Sequence, residues 1–393
     1  MKSLSQSPTD PGFVQDPYPF YDRARTSGAL VWWEEYGMPA AFSHDTVHAL
    51  LRDRRFGREK PAEMVTQAPA HLAPWLAVEA HSLLDAEPPR HTRLRSLILR
   101  AFTSRQLVNL APQIDALAHE LIDAFPDAPF DLLPAFCTQI PVVVICRMLG
   151  VPEDMAPQLL DWSHKMVAMY QANRTRATED AASEAATRFS KFLRGYVEER
   201  RADPRDDLIT RLIAAEQEGE KLSTDELIGT CVLLLNAGHE ATVHGLGNAV
   251  KALLEHGDAP HWTDPGHIDG AVEEALRFDP PLHMFTRYAY EDVTLFGHEF
   301  RRGDEVALLL GAANRDPSVW PDPNRFDPSR PVQTHNSFGG GLHFCVGAPL
   351  ARLEMSIALP ILFARCPKLK LAEQPTYSDS YHFHGLERLL VTG

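Results

Sequence analysis

Cysteine is scarce in this chain of 393 residues. Cys137, Cys146, Cys231, Cys345 and Cys366 are scattered, odd in number and without a Cys-x-x-Cys pair. That pattern excludes a disulfide framework and a zinc ribbon, and points to a reducing, cytoplasmic interior. No run of about 18 apolar residues occurs, so no spanning helix is expected. Residues 1–16 are polar, with Ser and Pro, and lack the apolar run of a signal peptide. They read as an N-terminal tail. Positive charge is in deficit: 38 Lys and Arg face 53 Asp and Glu, a net charge of −15. A general nucleic-acid binder and adhesion to anionic membrane are thereby excluded. Neither a linker nor a repeat of about 20 to 50 residues divides the chain. Residues 17–393 therefore read as a single domain.

What is present is apolar material in helical spacing. Hydrophobic residues make up 44% of the chain, enough to bury a large core. Apolar positions recur with helical period over His91–Phe102, Gln106–Phe125, Ala135–Leu149, Glu153–Tyr170, Thr175–Arg201 and Asp206–Gln217. Pro141 is expected to kink the third of these. Ser223–Glu255 is the longest periodic stretch. Ser223 and Glu226 form a capping box at its start, and Gly257 lies just past its end. Its middle, 232–237, reads as buried on all sides. Polar His239, Glu240, Thr242 and His244 follow. Buried polar groups cost free energy unless paired, so this cluster calls for a functional reading. Short extended pieces are expected at Ala29–Trp33, Met38–Ser43, Met284–Tyr288, Val293–Leu295, Glu299–Arg301 and Glu305–Leu309, and again in the tail from His382 to Val391. The fold class is mainly α with a small β-rich region, not a doubly wound parallel sheet.

One stretch organises the rest: Phe338-Gly339-Gly340-Gly341-Leu342-His343-Phe344-Cys345-Val346-Gly347. A cysteine stands where a glycine-rich loop becomes a helix. Glycines allow close backbone approach to a flat partner. A helix start favours a thiolate over a thiol. Together with His343, these features suit a large, flat, anionic metal cofactor.

The stretch resembles the haem-binding loop of the cytochrome P450 family, Phe-Gly-x-Gly-x-His-x-Cys-x-Gly, at every fixed position. The resemblance extends from about Pro17 to the C-terminus. It implies the family's helical prism around haem b, with the long central helix at 223–255. Cys345 would be the iron ligand, with Phe338 and Gly347 beside it in the cofactor loop. His343, His91, Arg95 and Arg287 would face the haem propionates; His91 and Arg95, four apart, share a helix face. Further cations, Arg93, Arg100 and Arg105, cluster on the same stretch. Glu274 and Arg277, with Arg325, would brace the loop that presents Cys345. Ala237-Gly238-His239-Glu240-Ala241-Thr242 is similar to the family's oxygen-activating kink, with Glu240 relaying protons. It departs from the pattern at Ala241, where a threonine is usual. Thr242 follows one residue later, rotated by about 100 degrees on a helix. A water-mediated route is the favoured substitute. Leu233, Asn236, His239, His283 and Phe285 are candidate substrate-pocket residues.

The implied activity is that of a haem-thiolate monooxygenase, inserting one atom of O2 into a small, largely apolar organic molecule. Electrons would come from a separate ferredoxin and its NAD(P)H-linked reductase, with Arg93, Arg100 and Arg352 as contact candidates and the chain a monomer. Two rivals stand beside it: a peroxide-driven peroxygenase, which the missing threonine keeps open, and a non-catalytic haem-binding or gas-sensing protein. A phosphate-binding loop is excluded, because Gly339–Gly341 is not followed by Lys and Ser or Thr.

Overall fold

The computed structural model describes every residue except Thr103, Ala172, Asn173, Glu218 and His382, and every side chain except those and Ser104, Arg105, Glu216 and Gln217. The Arg105 side chain and His382, expected to open the tail strands, thus lie outside the described residues. The architecture is mainly α with small sheets. The chain forms two compact units: one of residues 1–65, 115–137 and 241–393, the other of residues 66–114 and 138–240.

The first unit holds the main sheet. Its six strands run in the order Lys2–Leu4, Val31–Trp33, Met38–Ala41, Glu305–Leu309, Met284–Ala289 and Phe56–Gly57. The first pair and the Met38–Ala41/Glu305–Leu309 pair are parallel; the other pairings are antiparallel. Val31 and Trp33 are buried and Trp32 between them is exposed, the two-residue period of a half-covered strand. Residues 1–16, expected as a tail, carry the first strand and a helix, Pro11–Gln15. Phe13 is the cause: it packs edge-on against Phe20, Tyr21 and Trp33 in an aromatic core. The tail contributes Leu390–Thr392, which pairs with Lys370–Leu371 and Phe130–Asp131.

The second unit is helical, with Arg90–Ala101, Gln139–Leu149, Ala156–Val167 and Arg176–Ala202 as its main elements. The helix expected from Ala135 is interrupted ahead of Pro141: Leu133–Cys137 forms a π turn. The helix begins at Gln139, so Pro141 lies in the first turn, where an N–H would have no partner within the helix.

The long helix runs Thr224–Glu255, its residues divided between the units after Glu240. The capping box forms: Glu226 N–H donates to Ser223 Oγ at 3.2 Å, and Ser223 N–H donates to Glu226 Oε2 at 2.8 Å. Gly257, at φ +78°, lies just past its end. Helix is continuous through Gly238.

Candidate active site

The loop before Cys345 is held by buried polar groups. Asn314 Nδ2 donates to Ser337 Oγ at 2.7 Å, Asn336 N–H donates to Asn314 Oδ1 at 2.7 Å, and Ser337 Oγ donates to the Leu276 carbonyl at 2.7 Å. Glu274 and Arg277 form a bidentate pair at 2.7 and 2.8 Å, both buried. The expected third member, Arg325, is not in it. Its side chain is 70% exposed and faces Asp327, and only its carbonyl reaches Arg277. Arg330 takes the place, with Nε 3.4 Å from Glu274 Oε1. It can do so because the Asp327 N–H binds that same oxygen, which turns the following residues back towards Glu274. Two arginines five apart look alike in sequence; this turn separates them.

From this brace the chain enters a 3₁₀ turn, Gly341–His343, and then the helix Ala348–Arg365. Cys345 N–H donates to the Phe338 carbonyl at 3.0 Å, closing the loop, and the Cys345 carbonyl accepts from Ala348 N–H at 3.4 Å. The thiol thus stands beside the N-terminal, positive end of the helix dipole, which favours its anion. Among the five cysteines Cys345 is the exposed one. Burial pushes the Cys146 and Cys231 thiols up to about 12, so neither is a thiolate at neutral pH. The glycines have a different cause from the one expected. A Cβ at Gly341 would lie 2.6 Å from the Leu51 carbonyl, and one at Gly340 would lie 2.8 Å from Arg52 Nη1. Gly339 (φ +68°) and Gly341 (φ +63°) also need the left-handed region. They let the loop lie against the helix His44–Arg52 rather than serving only a flat ligand.

Arg287, on the strand Met284–Ala289, is fully buried; its Nη1 donates to the Thr286 carbonyl at 2.8 Å. Phe285 is half-buried against Gly339, with the Arg58 and Arg287 guanidiniums 5.4 and 5.9 Å from its ring centre. His283 is not a pocket wall. It is fully buried, its Nδ1 2.9 Å from the Tyr21 hydroxyl.

In the second unit, His91 is buried and Arg95 half-buried on the helix Arg90–Ala101. The middle of the long helix is not buried all round. Ala237 is exposed, and Leu233 and Ala241 are half-buried, at i, i+4 and i+8. Two of the three side chains on this stripe, Ala237 and Ala241, are small. Asn236, also half-buried, points Nδ2 at Met166 Sδ (3.9 Å) and leaves Oδ1 without a partner. Thr242 is buried, one residue round from the open stripe, while Ala241 lies on it. His239 is a packed residue, 1% exposed, with Nδ1 2.5 Å from the Leu235 carbonyl. Glu240 lies 3.1 Å from it and 3.2 Å from His164. His164 was not among the expected residues; it comes from the helix Ala156–Val167, and nothing in its own sequence neighbourhood marks it.

An exposed thiol at a helix start and a buried arginine in the same unit are donors of the kind a thiolate-ligated haem takes. The family model for cytochrome P450 matches residues 29–261 and 267–386. The chain belongs to the cytochrome P450 family. It is 36% identical over 382 residues to the cytochrome P450 monooxygenase PikC of Streptomyces venezuelae, covering 92% of this chain and 87% of that protein. It is 37% identical to the vitamin D(3) 25-hydroxylase of Pseudonocardia autotrophica, covering 97% and 94%. Among solved structures, P450BioI in complex with an acyl carrier protein bearing hexadec-9Z-enoic acid superposes with a TM-score of 0.90 at 33% identity, over 97% of this chain and 99% of that one. As a cytochrome P450 monooxygenase the chain is an oxidoreductase that uses haem and O2. Among the described residues no helix is long and apolar enough to cross a membrane.

Proposed function

We propose that this P450 inserts one atom of O2 into a C–H or similar bond of a small, largely apolar molecule, working as one haem-thiolate domain in the cytoplasm. Cys345 carries the reading: an exposed cysteine at a helix start, on a loop braced from Glu274, Arg277 and Arg330. Its thiolate is the iron ligand of haem b, beside Phe338 and Gly347. His343, Arg287, His91 and Arg95 neutralise the propionates, and Ala237 leaves room for the macrocycle. When bound, haem supplies O–O cleavage, favoured by thiolate ligation.

The chain's own residues do the rest. Glu240 holds the proton that the reaction needs. Ala241 has no hydroxyl and Thr242 is buried, so an ordered water carries that proton from the Glu240 carboxyl. Leu233 and Phe285 supply apolar contact for substrate, and Asn236 Oδ1 a polar handle. A relative named as a hydroxylase supports C–H insertion, and the carrier-protein complex of P450BioI supports testing carrier-borne acyl chains beside free molecules. Electrons come from a ferredoxin and its reductase. Arg93 is paired with Glu226 and Glu220, and Arg352 with Glu273, which leaves Arg100 as the exposed member of the three docking candidates.

Cys345→Ala is expected to abolish the thiolate-type spectrum of the reduced carbonyl complex. Survival of that spectrum overturns the ligand assignment. One observation favours a second reading. Glu240 is engaged by two histidines beside a missing threonine, which suits peroxide-driven turnover. Product formed with ferredoxin and NAD(P)H, compared with product formed from peroxide alone, separates the two.

A further inference from the structure

Glu240 Oε2 lies 3.2 Å from Nε2 of His164 and 3.1 Å from Nε2 of His239, all within one compact unit. The two rings are 5.6 Å apart and inclined at 52°. Nδ1 of His239 sits 2.5 Å from the Leu235 carbonyl, one turn back. A carbonyl only accepts, so Nδ1 carries the hydrogen and Nε2 of the neutral ring presents a lone pair. That Nε2 is buried and makes no hydrogen bond. The adjacent Glu240 oxygen offers it another lone pair, so acceptor faces acceptor unless a cation lies among them. A backbone carbonyl on the far ring nitrogen is also how metal-ligating histidines are commonly oriented. His164 brings a second imidazole, with 55% of its side chain exposed, and so gives an ion a way in.

We propose that His164, His239 and Glu240 form a binding site for a divalent transition metal of the zinc class, through Nε2, Nε2 and Oε2. The three ligand atoms lie within 4.8 Å of one another. Two imidazoles and one carboxylate make a three-ligand zinc set, with a fourth position for water. Calcium and magnesium prefer oxygen throughout and are disfavoured here. The site's consequence for turnover rests on the monooxygenase reading above. A bound ion takes the Glu240 carboxylate and both imidazoles, withdraws that acid from proton transfer and slows product formation.

The test is isothermal titration of the haem-loaded protein with zinc ion. It is run in a His261→Ala/His267→Ala background, because His261, Asp264 and His267 form a second, surface group of possible ligands. One equivalent of saturable binding is expected. His164→Ala and Glu240→Gln should each weaken it by more than about 100-fold, the upper end of what losing an outer partner of a metal site costs. His164 is largely exposed, so its removal leaves the fold and the ferric haem spectrum unchanged. Absence of binding, or binding indifferent to both substitutions, overturns the site and leaves a proton as the shared cation. Heat of binding is read without turnover, so the two readings fail separately. Zinc bound at these residues in a protein that oxidises nothing would sink the monooxygenase reading alone. Turnover without zinc binding would sink the metal site alone.

Discussion

Three groups among the described residues share one composition, two histidines and a carboxylate, and two of them have opposite surroundings. Asp279, His283 and His384 are sealed. Tyr18 donates to Asp279 Oδ1 at 2.7 Å, Tyr377 donates to Oδ2, and His384 Nε2 lies 3.3 Å from Oδ1. The Arg315 guanidinium stacks 3.4 Å above the Tyr18 ring centre. Burial pushes the Asp279 carboxyl up, but His384 and Arg315 outweigh it and hold the carboxyl well below its ordinary range. In His164, His239 and Glu240 the carboxylate is paired with the two rings, and one ring is open to solvent. In the first group the carboxylate is already saturated, and no exposed member gives a ligand access. The second has a buried nitrogen with no hydrogen bond and a route to water. What satisfies the polar atoms, not which residues are present, separates a structural cluster from a chemical one.

The sharpest way to break this comparison is Asp279→Ala. It leaves His384 and two tyrosines without their shared acceptor, and Arg315 without a nearby counter-charge. Removing one partner of a buried charged network costs about 3–5 kcal/mol. The urea midpoint should fall accordingly; a loss under about 1 kcal/mol would show that the sealed cluster is not structural.

A third carboxylate separates sealing from pairing. Glu354, on the helix after Cys345, is 1% exposed, and its Oε2 has no hydrogen-bond partner. Burial raises its pKa well above the ordinary value. The folded state therefore keeps a proton that the unfolded chain loses above about pH 4.3. Between that pH and the raised folded value, stability falls by up to about 1.4 kcal/mol per pH unit. Glu354→Gln removes this titration, so its stability relative to wild type should rise from pH 5 to pH 7. Parallel curves for the two proteins would mean that Glu354 is not proton-bearing in the core.

Glu240→Gln comes next. With two neighbours and partial exposure, its effect on the urea midpoint should stay within about 1 kcal/mol. Product formed per O2 consumed should nevertheless fall, because the amide cannot pass a proton. Unchanged coupling would remove Glu240 from the proton route.

Long periodic stretches and local caps were legible in the sequence because their causes are local. The capping box of Ser223 and Glu226, the Gly257 terminus and the strand Val293–Leu295 need only neighbours within a few residues. The cysteine loop was legible because its pattern is contiguous. What could not be read depends on chain reversal. Arg330 replaces Arg325 because of one turn at Asp327. His283 is lost to the core because Tyr21, far away in sequence, meets its ring. Residues 1–16 pack because Phe13 finds Trp33. His164 is distant in sequence from the glutamate it touches.

The smallest expected effect distinguishes the two groups by the direction of their pH dependence. The hydrogen bond with Glu240 raises the His164 pKa, and burial opposes it only in part. A raised histidine contributes stability that is fully present below its unfolded value, near pH 6.5, and is lost as pH rises through the folded value. Asp279 behaves oppositely: its lowered carboxyl contributes stability present above about pH 3.9 and lost as pH falls through its folded value. His164 is more than half exposed, so water screens the pair and its contribution should not exceed about 1 kcal/mol. His164→Ala should therefore cost most at pH 6 and almost nothing at pH 9, read as the difference in urea midpoints from wild type. A cost equal at both pH values would mean that the ring acts by packing, and that the open group holds no proton between imidazole and carboxylate.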